Sequence, residues 1–260
     1  MAIPLPTIIL HGQQIECSLL IFDMDGTLID ERIRFRALAE ARTETMRNLL
    51  GDEAVEIWAR LSGVNVETGK IDMNGPLARA SRRDDLVVAA TAIYLSGLRW
   101  NDAKELAEKV YGAADELRSS KEGEMLFPGV AETLRGLKKA GLKLSIATNE
   151  GHLAAENTMT SLGLHEMFDA FVGADDIANP KPSPDMILMA CTMCGCSPAE
   201  AVYVGDQPVD MMAGRNAGVK ATIAVKSEYV PLSEISKLSD FVIDSINSIR
   251  APKGLQQSEP

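Results

Sequence analysis

A chain of 260 residues can bury a substantial core, as one large domain or two smaller ones. Its 46% hydrophobic content is that of a soluble globular protein, and 37 acidic against 26 basic side chains, a formal net charge of −11, argue against a nucleic-acid backbone as the main partner. A small anionic substrate is compatible with that field where a metal ion or a few placed Lys and Arg side chains supply local cations.

Met1 to Leu10 has no basic leading region, and Pro4 and Pro6 interrupt its brief apolar stretch, so no signal peptide is expected. No run reaches membrane-spanning length. Cys17 stands alone, while Cys191, Cys194 and Cys196 close an apolar, helix-like stretch with no second ligand pair after it. They read as reduced, helix-end thiols of a cytoplasmic protein rather than as zinc ligands.

Residues 7–10 and 15–22 read as strands joined around His11-Gly12-Gln13-Gln14, a hairpin that leads into Leu19-Leu20-Ile21-Phe22. Four consecutive apolar residues suit a strand buried on both faces of a parallel sheet. The run stops abruptly at Asp23-Met24-Asp25-Gly26-Thr27-Leu28. If the extended conformation continues that far, the two carboxylates share a side, because strand side chains alternate. Open α/β sheets bind ligands just beyond the carboxyl ends of their strands. A lone Asp there would read as a turn residue or a helix cap.

Beyond Leu28 the periodicity becomes helical. Residues 32–50 carry Ile33, Leu38, Ala41, Met46 and Leu49, and residues 53–61 carry Val55, Trp58 and Leu61. A polar loop follows from Gly63 to Gly75. Ser81 with Asp84 resembles a capping box, and Asn101 an N-cap before a helix over 102–118. So long a helical stretch between a strand and the next repeat is an inserted domain, 31–124, a cap hinged near Asp30-Glu31 and Gly123 to Phe127. The core is then 1–30 with 125–250, and 251–260 is a polar, frayed tail.

From Phe127 onward strands and helices alternate. Pro128 starts a helix over 129–140 that Gly141 ends, and Lys143 to Asn149 forms a strand. Helix 151–162, strand 170–172, helix 184–194, strand 201–204, helix 208–217 ended by Gly218, strand 221–225 and strand 241–243 follow, and a terminal helix closes the pattern. Met186, Met189 and Met193 read as core. This alternation implies a doubly wound, Rossmann-like parallel α/β sheet with right-handed crossovers and an inserted α-helical cap domain.

Three strands of this reading end in polar groups: Asp23 and Asp25, then Thr148-Asn149, then Gly205-Asp206 with Asp210 one helical turn on. Lys181 adds a cation in Asn179-Pro180-Lys181-Pro182-Ser183-Pro184. Singly, Asp206 reads equally as an N-cap, Thr148 as a β-branched strand end and Lys181 as a solvated charge. Jointly they converge on one sheet edge. Such a set suits phosphoryl transfer. Asp23 would attack phosphorus to give an aspartyl-phosphate, and Asp25 would protonate the leaving oxygen and later activate water. Asp23 and Asp206 would hold Mg2+, with Asp210 in support, and Lys181 and Thr148 would bind the transferring oxygens.

Asp23-Met24-Asp25-Gly26-Thr27 resembles the first motif of the haloacid dehalogenase superfamily of phosphohydrolases. Thr148 is similar to its second motif, Lys181 to its third and Gly205-Asp206-Gln207-Pro208-Val209-Asp210 to its fourth. The resemblance implies Mg2+ as cofactor, bound also by the backbone carbonyl of Asp25, with Gly26 and Thr27 shaping the motif and Asn149 beside Thr148 at the phosphate. The helical insertion resembles the cap of the phosphoglycolate phosphatase and β-phosphoglucomutase branch. Dehalogenases and phosphonate-cleaving members lack an acid at the position of Asp25, so neither is expected.

The expected protein is therefore a Mg2+-dependent phosphatase of small phosphomonoesters, phosphoglycolate-like or sugar phosphates, acting as a monomer or homodimer without nucleic-acid or membrane partners. A sugar-phosphate mutase, which keeps Asp25, and a non-catalytic phospho-ligand binder stay open. Among the cap arginines Arg32, Arg34, Arg36, Arg79, Arg82 and Arg83, most read as solvated helix faces. Lys70 and Arg79, flanking Gly69 to Gly75, are the candidates for substrate specificity.

Overall fold

β1 (Thr7–Leu10) and β2 (Gln13–Glu16) pair antiparallel as a two-stranded ribbon. His11 and Gly12 turn it, both at positive φ (49° and 80°), the geometry that a tight two-residue hairpin demands. The expected single strand over 15–22 is broken at Cys17 and Ser18, whose amides donate instead to the carbonyls of Pro6 and Glu200. There the chain leaves the ribbon and enters the main sheet as β3 (Leu19–Phe22). This computed structural model describes residues 5–80, 82–121 and 126–252. The Ser81 capping box, hinge positions 123–125 and the tail from 253 lie outside the described residues.

The main sheet contains β3, β4 (Lys143–Ala147), β5 (Ala170–Val172), β6 (Ala201–Gly205), β7 (Ala221–Val225) and β8 (Phe241–Ile243) in the order β5-β4-β3-β6-β7-β8. All pairs are parallel. The chain winds from β3 outward to β5, then returns across β3 and winds outward again from β6 to β8. The order therefore reverses at β3. A doubly wound sheet leaves its ligand crevice at such a reversal. Phe22 is level with Ile146 of β4 and with Val204 of β6, so the residues following these three strands emerge side by side.

The chain divides into two compact units, one of Met1–Asp30 with Met125–Pro260 and the other Glu31–Glu124. The second is helical: α1 (Glu31–Leu50), α2 (Asp52–Ser62), the single turn α3 (Pro76–Arg79), α4 (Arg82–Leu95) and α5 (Trp100–Lys121). Met46, Val55, Trp58, Ile93, Val110 and Tyr111 form its core. Asn101 is not the N-cap expected of it. Ala103 N already donates to Arg99 O and the helix begins at Trp100, so Asn101 sits inside the first turn. The arginines also depart from a purely solvated face. Arg34 is buried, and Arg42, which periodicity did not single out, is buried against Asp85.

In the first unit, α6 (Val130–Lys139) and α7 (His152–Ser161) cover the face of the sheet that carries Leu20, Phe22, Leu144 and Ile146. α8 (Asp185–Met193) and α9 (Pro208–Ala217) cover the face of Leu19, Ile21 and Tyr203. β3 is thus apolar throughout because helices lie on both its faces, each of its side chains contributing about 1.5–3 kcal/mol by burial. α10 (Leu232–Leu238) was not expected, and among the described residues no α-helix follows β8. A 3-10 turn at Ile246–Ser248 ends instead in Arg250, whose N–H and C=O pair with Ile9 of the hairpin. Met186 is core as expected, whereas Met193 at the end of α8 is 49% exposed.

Candidate active site

β3 ends at Phe22, yet Asp23 N still donates to Val204 O at 2.8 Å, which fixes the start of the acidic segment against β6. The chain then folds into a tight turn. Leu28 and Ile29 N–H both donate to Met24 O, Gly26 N donates to Ile29 O, and Met24 and Leu28 are buried beneath. Gly26 sits at φ 74°, and a Cβ there would lie 2.6 Å from Asp206 Oδ2. Glycine is required twice over, for the backbone and for the space. The Thr27 hydroxyl is buried with no hydrogen-bond partner among the described residues.

Asp206 follows β6, buried at 1% exposure, and accepts from Gln207 Nε2. Asp210, on the first turn of α9, has both oxygens engaged: Oδ2 accepts from Gln207 N at 2.9 Å, and Oδ1 from Tyr203 Oη at 3.0 Å and Lys181 Nζ at 2.8 Å. Asp210 rather than Asp206 therefore supplies the capping bond of α9. Lys181 reaches from its proline-rich loop to donate also to Asp23 Oδ1 at 2.6 Å. A chain of side chains, Tyr203 to Asp210 to Lys181 to Asp23, thus lies beneath the sheet edge. Tyr203 was missed from sequence because its strand position reads as plain core. The available signal was the phenol itself, since a buried tyrosine hydroxyl needs a partner.

Burial is the main force on these groups. It pushes the Asp23 carboxyl up to about 8, with Lys181 pulling down and the charges of Asp210 and Asp25 pushing further up. Burial disfavours the Lys181 charge, but Asp210 and Asp23 outweigh it and hold its pKa well above the usual range. The Tyr203 phenol, also raised by burial, stays a hydrogen-bond donor. The site thus sets a lysine held in its charged form between Asp210 and a carboxyl at Asp23 whose ionisation burial opposes.

Thr148 follows β4 and is buried, its N–H donating to Val172 O of β5 at 3.0 Å. Its Oγ1 accepts from Glu150 N at 3.2 Å, which leaves the hydroxyl proton for another acceptor. Asn149 is exposed. In the helical unit, Lys70 is an exposed loop residue and Arg79, at the end of α3, lies 3.7 Å from Glu31 Oε2. No hydrogen bond or ion pair among the described residues links Lys70 to Arg79. Cys17, Cys191, Cys194 and Cys196 are free thiols, the first three buried.

One group of His, Cys, Asp or Glu side chains among the described residues has three potential ligand atoms all within 4.8 Å of one another: Asp23, Asp206 and Asp210. Hard carboxylate oxygens gathered in this way fit Mg2+, which favours such donors. Because Asp210 is committed to protein donors on both oxygens, Asp23 and Asp206 are the better placed pair.

Three carboxylates and one lysine gathered where a doubly wound sheet reverses its order mark an α/β fold with a candidate active site at its switch point. The chain belongs to the haloacid dehalogenase-like hydrolases, whose family profile matches residues 17–218. It is 28% identical over 248 residues to a phosphoglycolate phosphatase of Escherichia coli (strain K12), covering 92% of this chain and 93% of that protein. Among solved structures, a subfamily IA hydrolase of the same superfamily from Geobacter sulfurreducens matches with a TM-score of 0.61 and 24% identity, covering 88% of this chain and 93% of that one. A Thermotoga maritima structure provisionally assigned as a β-phosphoglucomutase matches with a TM-score of 0.64 and 20% identity, covering 87% and 94%. These structural likenesses establish the fold.

Proposed function

We propose that the protein is a Mg2+-dependent phosphatase of small phosphomonoesters, with phosphoglycolate-like or sugar phosphates as its first candidates. The observation that carries this reading is the convergence of Asp23, Asp206 and Asp210 within 4.8 Å, with Lys181 Nζ 2.6 Å from Asp23. Curated relatives named phosphoglycolate phosphatase support it. Asp23 and Asp206, with the Asp25 carbonyl, would hold the ion, which supplies positive charge to the phosphoryl oxygens and favours the ionised form of Asp23.

In the first step an Asp23 carboxylate oxygen bonds to phosphorus as the ester P–O bond breaks. Asp25 gives its proton to the departing alkoxide, which leaves as the alcohol. In the second step a water oxygen bonds to phosphorus and the acyl phosphate P–O bond breaks, restoring the Asp23 carboxylate and releasing inorganic phosphate. Asp25 takes the water proton. Throughout, Lys181 and the Thr148 hydroxyl donate to the phosphoryl oxygens, with Asn149 beside them. Gly26 and Thr27 hold the turn, and Asp210 holds Lys181. The helical unit is assigned substrate choice as a cap, with Lys70 and Arg79 as candidates, and the four free thiols suit a reducing cytoplasm.

The test is turnover of a panel of phosphate esters with Mg2+ and with chelator. Release of phosphate that depends on Mg2+ and is lost in Asp23→Asn is expected; activity indifferent to both would overturn the mechanism. Conversion of glucose 1-phosphate to glucose 6-phosphate without net release would assign a mutase. Binding of the esters without either reaction would assign a sensor.

A further inference from the structure

The loop that follows β4 rests on the loop that follows β5. Thr148 N donates to Val172 O, and Ala174 N donates to Glu150 O at 2.7 Å. His152, the first residue of α7, is held twice by the 3-10 turn Ala174–Asp176. Its backbone N–H donates to Asp175 Oδ1 at 2.7 Å, and its ring Nδ1 lies 2.7 Å from Asp176 Oδ2. The same Asp176 oxygen accepts from Gly173 N at 2.8 Å, so one carboxylate ties both loops. The contact is too close for any side chain at Gly173, where a Cβ would stand 2.2 Å from His152 N. On the other side of the imidazole, Nε2 is 3.5 Å from Glu156 Oε1, which His165 Nε2 approaches at 3.7 Å from the neighbouring 3-10 turn.

We propose that His152 is a positioning residue for the Thr148–Asn149 loop, clamping it to the Gly173–Asp176 loop through Asp175 and Asp176, and that the imidazole's charge sets the strength of the clamp. The inference rests on the reading of Thr148 and Asn149 as phosphate-binding groups. No chemistry was assigned to His152, Asp175 or Asp176 from the sequence.

The carboxylates acting on the ring are Asp175 and Asp176 from the β5 loop and Glu156 from its own helix, the last shared with the His165 imidazole of the neighbouring turn. They make the imidazolium the favoured form. Only the imidazolium can donate from both nitrogens, to Asp176 and to Glu156 together. The hydrogen bond to Asp176 is the first cause of the raised His152 pKa, and the carboxylates add to it. Burial opposes ionisation of Asp176, yet the Gly173 amide and His152 outweigh it and lower its pKa. The clamp is complete below the ordinary imidazole pKa and weakens as pH rises through the raised value, when Nε2 turns a lone pair toward Glu156.

The experiment uses the full chain of the wild type and of His152→Gln. Amide hydrogen exchange at Glu150 and Ala174 reads the loop itself, and the affinity for inorganic phosphate reads its function, both over a range of about pH 5.5 to 9 that spans the imidazole titration. In the wild type, protection of both amides relative to their intrinsic exchange rate at each pH should fall, and phosphate affinity should fall about tenfold, the scale of one hydrogen bond to a charged group, as the His152 ring deprotonates. The variant should exchange fast and bind weakly throughout, without that step; the ionisation of phosphate is common to both proteins and cancels in their ratio. Equal exchange in the two proteins, or a pH step that persists in His152→Gln, overturns the proposal. If the exchange step is present but neither protein binds phosphate, the clamp stands and the phosphatase reading falls.

Discussion

Lys181 Nζ lies 2.6 Å from Asp23 Oδ1, and the lysine side chain that makes this contact is almost wholly buried. The ammonium also meets Asp210 at 2.8 Å, so a single cation balances two acids. Lys181→Met removes that balance while keeping the chain length. It should cost about 3–5 kcal/mol of stability, the range for an orphaned buried charge, unless Asp23 takes up a proton to relieve it. Either outcome also takes away the proposed Lys181 donor to the phosphoryl oxygens, and kcat should fall at least about 100-fold. Lys181→Arg should recover little, because a planar fork does not reproduce a point charge shared by two carboxylates. Denaturant unfolding and initial rates on the same samples check both parts.

Asp23 titrates at about 8 when no metal is bound, far above its ordinary 3.8. Its folded-state pKa is raised, so its contribution to stability is fully present below about 4 and is lost as pH climbs through 8. The metal-free protein should therefore lose stability across that window, and Asp23→Asn should lose less. Bound Mg2+ requires the carboxylate, so near pH 7 binding should release up to about one proton per ion from the Asp23 site. Calorimetric titration in buffers of different ionisation enthalpy measures the proton count. The gain in thermal midpoint from Mg2+ should be larger at pH 8 than at pH 5, and a gain independent of pH would refute the assignment.

The sheet was legible because it is buried on both faces. Leu19 to Phe22 and Ala201 to Val204 are buried runs that suit the middle of a parallel layer, and the carboxylates Asp23 and Asp206 that follow them break the pattern visibly, while Ala221 to Val225 is equally buried and runs on into Lys226. What escaped was set by distant partners. A terminal helix is a fair local reading after β8, but Arg250 pairs with Ile9, some 240 positions away, and that pairing takes the backbone groups a helix would use. α10 buries only Ile235 and so carries no helical stripe to find. Tyr203 and His152 look like ordinary strand and helix residues until Asp210 and Asp176 are brought beside them.

Gly26→Ala should damage the site more than its size suggests. The added methyl would stand 2.6 to 2.9 Å from the Asp206 carboxylate, and the backbone sits at φ 74°, which alone costs about 1–2 kcal/mol for a residue with a Cβ. Relief requires Asp206 to turn away from Asp23. Mg2+ affinity should drop at least about tenfold, comparable to the loss of a group that orients a metal ligand. An unchanged metal titration in a folded Gly26→Ala protein would show that Asp206 is not a ligand.

The helical unit carries a second buried charge pair, remote in sequence from every residue assigned to the chemistry. Arg42 Nη1 donates to Asp85 Oδ2, Tyr111 Oη donates to Asp85 Oδ1 at 2.9 Å, and Trp58 Nε1 donates to Tyr111 Oη at 3.0 Å. The Arg42 guanidinium also lies 3.9 Å over the Tyr111 ring. Arg42 and Asp85 are each about 3% exposed, so neither can turn to water when its partner is removed. Asp85→Ala should therefore destabilise the protein by about 3–5 kcal/mol, leaving the buried guanidinium without its carboxylate and the Tyr111 hydroxyl with only the residue-85 carbonyl, 3.4 Å away, as acceptor. Tyr111→Phe should cost about 1–3 kcal/mol, chiefly through the stranded Trp58 N–H. The double change Arg42→Met with Asp85→Leu removes both charges and should cost clearly less than Asp85→Ala alone, since a desolvated ion pair roughly offsets its own burial. Urea unfolding of the four proteins decides it. If the double variant is as unstable as the single one, the network is holding the helices in place by more than the mutual neutralisation of its charges.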